Sequence, residues 1–361
     1  MIKSMIEKAK NIILPISGGI GRNIFATAVI KNLKKAYPNK NIFVVAGFPD
    51  IFMNNPNVKK IFGFNSVQHL YEDYLDRYAS DGRNDDTVLI EVEPYRHPEY
   101  MNANMHIVEA WCDMLGVPCV DITPDIFLSR VEIEMAKSHI IALEQKFSRP
   151  VVLLQHCGGK VPDNNNKQEQ IASMSVMHRR SLSEKCSQEL TDKLIADGYT
   201  VASIQSPNQF CPNGAEKIHA PIRVILALVP SVVGIIAIDS FLQHACAALG
   251  VKSLVLWAGT SPDRLGYKAH VNLRRNVCSM PECHRPNSYA FDINANGFTW
   301  DCPFQDRCTD YDSETILQAY KDMKGEDYIN TVKNFKKIET VLEIKPTTPT
   351  KSAPNCPVHN H

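Results

Sequence analysis

Short apolar runs alternate with amphipathic stretches along most of the chain. Asn11–Ile16 (NIILPI) reads as a strand. From Arg22 to Ala36, apolar residues recur at Phe25, Ala28, Val29, Leu33 and Ala36, which is one face of a helix. Tyr37-Pro38-Asn39 ends it, and Asn41–Ala46 is the next strand. Val58–Phe62 and Thr87–Val92 are further strands. Asn104–Leu115 is a helix carrying Ile107, Val108, Trp111, Cys112 and Leu115 on one stripe, with Gly116 as its stop.

The pattern restarts after Pro150. Val151–Gln155 is a strongly apolar strand, and the polar run PDNNNKQEQ (162–170) reads as a mobile surface loop. Helix Ser183–Ala196 follows, capped by Ser183 and closed by Asp197-Gly198. Then come strand Thr200–Gln205, helix Ile222–Leu228, strand Val232–Ile238, helix Phe241–Leu249 and strand Ser253–Trp257. Strands alternating with helices predict parallel sheets covered on both faces. The restart predicts two such units, parting within or just after a helix at Glu132–Phe147. We place the domains at 1–148 and 149–325, followed by a C-terminal helix and flexible tail at 326–361.

A chain of 361 residues has room for two domains, each with its own core. Hydrophobic residues make up 44% and charged residues 22%, the balance of a globular protein, and the formal net charge is zero. No global basic field gathers nucleic acid or an anionic membrane surface. No apolar run reaches the ~20 residues of a spanning helix. The first residues, MIKSMIEKAKN, lack a signal-peptide core, so a cytoplasmic location is expected.

Two stretches carry chemistry. Strand, Gly18-Gly19-Ile20-Gly21, then helix suits a phosphate approaching a helix N-terminus, and equally a tight turn with no ligand. Arg22 follows directly. A permanent cation in a first helical turn opposes the helix dipole, which is easier to understand if an anion binds there. The second stretch, IIAIDSFLQHACAALGVKSLVLWAGTSPDRLGY, puts Asp239 and Ser240 at the carboxyl end of a buried strand, where open α/β sheets bind ligands. Both residues are also good helix caps. His244 lies one turn on, and Gly259-Thr260-Ser261-Pro262 is a second small-residue turn able to receive phosphate.

These segments resemble glycosyltransferase family 9, the lipopolysaccharide heptosyltransferases. Gly19-Ile20-Gly21 before an Ala26-Thr27 helix is similar to that family's N-terminal motif. DSFLQHACAALG with its later G-T-S-P turn is similar to its D-S-G-x-x-H-x-A-x-A-x-G segment. The resemblance spans about residues 11–325. It implies a GT-B architecture: two Rossmann-like doubly wound domains facing across a cleft, acceptor on the first and nucleotide-sugar donor on the second. It also implies inverting sugar transfer without a catalytic metal ion, to a glycan or lipid-linked acceptor, with a modified DNA base as a minor option. Asp239 would contact the donor sugar. Ser240, His244, Gly259, Thr260 and Ser261 would lie near the diphosphate, and the residues themselves read as placing Gly19, Gly21 and Arg22 on the phosphate as well. Arg179 falls at the family's basic phosphate position, with Arg180 a close alternative. A nucleotide-sugar 2-epimerase and a non-catalytic nucleotide-sugar binder are the competing readings.

The sequence departs from the family in two places. Where relatives carry a candidate catalytic aspartate, this chain has Arg22, and an arginine cannot act as base. Glu91, Glu93 and His97, after the Thr87–Val92 strand, are the replacement candidates. Phe241 replaces the glycine of D-S-G. Lastly, Cys278 and Cys283 are separated by four residues, and Cys302 and Cys308 by five, around an 18-residue insert. Four thiolates in two pairs could hold a structural zinc, with free thiols the alternative. The pattern is also similar to the C-terminal cysteines of family members.

Overall fold

The structure, a computed structural model, describes residues 2–70, 74, 86–102, 105–159, 180–275, 277 and 307–342. The 162–170 loop, the far C-terminal tail, Arg179, Cys278, Cys283 and Cys302 lie outside the described residues.

Two parallel sheets organise the chain. The first contains β1 (Asn11–Ile16), β2 (Asn41–Ala46), β3 (Lys60–Gly63) and β4 (Thr87–Leu89), in the order β3-β2-β1-β4. The second contains β5 (Val151–Gln155), β6 (Thr200–Ile204), β7 (Glu216–Ile218), β8 (Gly234–Ile238), β9 (Leu254–Trp257) and β10 (Val271–Arg274), in the order β7-β6-β5-β8-β9-β10. Both run outward from their first strand and then reverse, which is doubly wound topology. The main helices are α1 (Ile2–Lys8), α2 (Ile20–Ala36), α3 (Ile107–Leu115), α4 (Arg130–Phe147), α5 (Glu184–Ala196), α6 (Ile222–Leu228), α7 (Phe241–Ala248), α8 (Ser313–Lys324) and α9 (Glu326–Leu342).

The strand order creates a crevice in each sheet where neighbouring connections leave in opposite directions. In the first sheet it lies between β1 and β4. Their pairing ends at Ile13↔Leu89, followed by one more bond from Ile90 N–H to the Ile13 carbonyl at 2.9 Å. Pro15 has the parity of Ile13, so the N–H it lacks falls on the β4 side, beyond the last pair. The proline therefore sits where the two strands have already parted. In the second sheet the crevice lies between β5 and β8, whose pairing ends at Gln155↔Ala237.

Several contacts join the halves. Arg223 of α6 grips the Glu132 carboxylate with Nε and Nη2, at 2.7 and 2.8 Å, and reaches the Phe127 and Asp50 carbonyls. Ser129 and Glu132 form the capping box that starts α4, so one carboxylate both caps the connecting helix and holds the second half. The Arg223 bonds, with the Ser129 donors, hold the Glu132 carboxyl at about 2, far below its ordinary value. Helix α2 packs against α7, and one apolar cluster runs from α2 and α3 through α6 and α7 to one face of the second sheet. Arg264 donates to the Tyr100 and Met101 carbonyls and lies over the Tyr100 ring. A second cluster, rich in tyrosines (Tyr199, Tyr311, Tyr320 and Tyr328), fills the other face under α5, α8 and α9. Among the described residues, no helix is long and apolar enough to cross a membrane.

Candidate active site

The two crevices face each other across a cavity of about 940 Å3, lined from both halves. From the first half come the Gly18–Arg22 turn, Phe25, Phe48, Glu93, Tyr95, Arg96 and Tyr100. The second half supplies Gln155, Cys157, Arg180, Asp239, Ser240, His244, Thr260, Ser261 and Arg264, with an apolar wall that includes Ile204, Pro207, Ala220, Ile222 and Ile225. Among these lining residues, four arginines (Arg22, Arg96, Arg180 and Arg264) stand against two carboxylates, Glu93 and Asp239. A chain of zero net charge has gathered a positive excess in one concave site.

The glycines of the first turn have separate uses. Gly18 adopts φ +85°, the left-handed conformation that turns the chain from β1 into α2. Gly19 is the helix N-cap and provides no side-chain bond. Gly21 is a packing glycine: a Cβ there would lie 3.1 Å from His244 Cδ2 and 3.7 Å from the Phe241 Cα. It lets the N-termini of α2 and α7 approach closely. Ser240, the N-cap of α7, likewise makes no side-chain cap bond. Two helix N-termini with unused donors thus meet at the cavity, each a region of positive potential.

Arg22 is clamped. Nη1 donates to Glu93 Oε2 at 2.8 Å, and the guanidinium carbon stands 5.6 Å from the Tyr95 ring centre and 5.3 Å from that of Trp111. Its Nε is buried without a partner. Glu93 also caps the turn Pro94–Arg96, accepting from the Tyr95 N–H at 3.2 Å through Oε1. Its side chain keeps 45% of its surface exposed, so the carboxylate is reachable. Glu91 is exposed and His97 is buried, and both stand outside the cavity. His97 binds Asp113 at 2.9 Å and caps a helical turn through Nδ1.

On the opposite wall, Asp239 is buried and accepts from the Thr260 hydroxyl through Oδ2. Ser240 Oγ accepts from Gln155 Nε2 at 3.1 Å. Ser261 caps the turn Pro262–Leu265 through the Asp263 N–H at 3.2 Å, and Gly259 lies buried outside the lining. Arg180 is the most telling residue. It lines the cavity, is half-buried, and makes no ion pair or hydrogen bond with any described residue; its Nε is buried and unpartnered. A desolvated guanidinium without a counter-charge is costly unless a ligand supplies one.

Histidines line the seam below. His244 Nδ1 and the Tyr267 hydroxyl are 2.8 Å apart, and the His244 ring meets Phe25 edge-on at 5.5 Å. Burial, reinforced by His106, His270 and Arg180, pushes His244 down to about 3. Burial likewise lowers His106 to about 4. Both rings are neutral at pH 7. Cys157, although in the cavity, is pushed up to about 12 by burial and is a thiol, not a thiolate nucleophile. Of the cysteine cluster only Cys308 is described, and no group of three or more histidine, cysteine, aspartate or glutamate residues among the described residues could hold a metal ion.

Of the residues the sequence named, Arg22, Glu93, Asp239, the Gly18–Gly21 turn, Thr260 and Ser261 meet in the cavity, together with Arg180, the alternative to Arg179, while Gly259 does not line it. Tyr95, Gln155 and Arg264 were not singled out. Gln155 and Arg264 carried a readable signal, being polar residues at the last position of a buried strand or in the turn that follows one.

No family model and no curated protein matches the sequence. Solved structures do match its fold. The glycosyl transferase family 9 protein of Veillonella parvula superposes with a TM-score of 0.58 at 14% identity, over 87% of this chain and 96% of that one. The ADP-heptose lipopolysaccharide heptosyltransferase II of E. coli gives 0.57 at 13% identity, over 91% and 99%. The dodecameric iron-containing heptosyltransferase TibC, solved with ADP-D-β-D-heptose, gives 0.53 at 12% identity, over 91% and 76%. The fold is the two-domain α/β architecture of these glycosyltransferases.

Proposed function

We propose that the protein is a glycosyltransferase that moves a sugar from a nucleoside-diphosphate sugar to an acceptor hydroxyl, with inversion at the anomeric carbon. The unpaired Arg180 in a positively charged cavity carries this reading, because it calls for an anionic ligand at the junction of two helix N-termini. The structural neighbours point to a diphosphate as that anion: the TibC complex holds ADP-D-β-D-heptose.

In this reading the diphosphate lies against Arg180, Ser240 and the N-terminus of α7, with Thr260 and Ser261 at its edge. The charge that develops on the leaving group is met by guanidinium and amide donors, not by a metal ion. Asp239, fixed by Thr260, accepts hydroxyls of the donor sugar. Glu93 is the base. Of the three base candidates it faces the cavity, and its bond to Arg22 holds its carboxylate in place. The carboxylate that relatives place on the helix is here supplied by the loop after β4, with Arg22 in the vacated position. The acceptor oxygen attacks the anomeric carbon, its proton passes to Glu93, and the bond to the diphosphate breaks with its electron pair on the phosphate oxygen. A glycan or lipid-linked glycan is the proposed acceptor class.

The test is a thermal-shift screen against ADP, UDP, GDP, CDP and dTDP with wild-type, Arg180→Ala and Asp239→Asn proteins. One nucleotide at 100 times its dissociation constant adds about 2.7 kcal/mol and raises Tm by several degrees. Arg180→Ala is expected to abolish that rise. Asp239→Asn is expected to keep it and to lose transfer from the matching nucleotide sugar. No rise with any of the five for the wild type would overturn the reading.

A further inference from the structure

The loop after β4 carries an aromatic residue that the reaction as described leaves unused. Tyr95 lines the cavity from the first half. Its backbone N–H is tied to Glu93 Oε1, and Pro94 stiffens the turn. Its ring is held on two sides, over the Arg22 guanidinium at 5.6 Å and edge-on to Tyr100 at 5.6 Å and 76°. Tyr100 is in turn pinned by Arg264 from the second half. The ring is therefore oriented, yet its hydroxyl makes no hydrogen bond with any described residue. A fixed phenol with a free O–H in a ligand cavity is a donor awaiting an acceptor.

Arg22 and Glu93 on its own half and Arg180 and Asp239 from the second half line the same cavity as Tyr95. Tyr95 and Arg180 thus look into the same space from opposite walls. A group that satisfies both must accept from a guanidinium and a phenol together. A phosphate oxygen does so, whereas a sugar hydroxyl or a second cation does not satisfy Arg180. Burial pushes the Tyr95 phenol up to about 12, so it keeps its proton throughout the neutral range and can donate.

We propose that the Tyr95 hydroxyl donates a hydrogen bond to the leaving diphosphate, making it the contact through which the first half grips a donor bound mainly by the second. The proposal rests on the glycosyltransferase reading above. It gives the first half a stake in the leaving group, so that the developing charge is stabilised only when both walls are in place.

The experiment is calorimetric titration of wild-type, Tyr95→Phe and Arg180→Ala proteins with the five nucleoside diphosphates and with the corresponding nucleosides. Tyr95→Phe removes one oxygen and keeps the ring on Arg22 and Tyr100. It is expected to weaken the preferred diphosphate about tenfold or more, the worth of a hydrogen bond to a charged acceptor, with nucleoside affinity and Tm unchanged. Equal diphosphate affinity in Tyr95→Phe and wild type, with affinity lost in Arg180→Ala, would overturn the proposal and leave the donor site standing. Parallel loss of nucleoside and diphosphate in Tyr95→Phe would also overturn it, by placing the hydroxyl away from the phosphates. Binding of none of the five by the wild type would overturn both.

Discussion

Lowering the pH from 7 to 5 is expected to remove about 6 kcal/mol of the protein's stability, through three buried histidines. His106 and His156 sit at about 4 and His244 at about 3, against an ordinary value of 6.5, and burial is the first cause in each case. Because the folded values are depressed, the unfolded chain binds more protons below pH 6.5. Stability is therefore complete above that pH and is lost as pH falls toward the folded values. The linkage relation gives about 2 kcal/mol for each ring between pH 7 and 5, about 6 kcal/mol for the three. A typical domain has a margin of about 5–15 kcal/mol. Local geometry agrees. His106 Nδ1 accepts the Val108 N–H that starts α3, so protonation there removes a helix cap. Among the described residues no carboxylate bonds His244, and its neighbours include Tyr267, Phe25, Gln243, His106 and His270. The Glu132 carboxyl, held at about 2, loses its contribution below its ordinary 4.5, under this window. The assay is urea unfolding at pH 7.5, 6 and 5, with His244→Phe alongside, expected to reduce the pH slope by about a third. An unfolding free energy that changes by less than about 1 kcal/mol over that range would refute the reasoning.

Gly234→Ala places a Cβ 1.6 Å from the Tyr320 hydroxyl, so a loss of about 3 kcal/mol or more is expected in denaturant titration. Tyr320→Phe, which removes that buried and unpartnered hydroxyl, is expected to raise stability by up to about 1 kcal/mol. The neighbouring glycines of the first turn should separate cleanly. Gly21→Val drives a side chain into His244 and is expected to lower Tm by several degrees, whereas Gly19→Ala meets nothing within 4 Å and is expected to cost only the smaller penalty of alanine at a helix N-cap. Arg223→Ala strands the Glu132 carboxylate, and a loss of about 3 kcal/mol is expected, measured by the same unfolding curves.

The periodic elements of the fold were legible, because β1, β2, β5, β8 and β9 are continuous apolar runs and their helices carry caps or stops. Edges were less so. β7 and β10 have three and four residues, too short for an alternation to register. β4 ends at Leu89, not Val92, because Glu93 turns back to cap its own loop and Pro94 follows. Helix α3 starts at Ile107, three residues later than expected, because His106 is its cap. Helix α2 read as one apolar face, yet Asn23, Thr27 and Asn32 are buried too, since α3, α7 and the strap after α3 cover its other sides. Asn32 binds Val120 and Asp121, and Thr27 accepts from Asp125. No periodicity in a single helix reports such partners. At the site, the sequence could place residues at strand ends but not pair them. Arg22 reads as a free phosphate ligand until the fold brings Glu93 to it from 71 residues away.

The apolar cluster shared between the halves also sets a schedule for synthesis. Helix α2 has one side completed by α7, about a hundred residues after the first half has been made. At roughly 5–20 residues per second, that is about 5–20 seconds on the ribosome with the side facing α7 bare. The first half is thus born with an exposed sticky surface, and its correct partner arrives on the same chain. A stall or early stop between residues 148 and 241 would release a product with no way to cover it, the kind of nascent chain that chaperones hold.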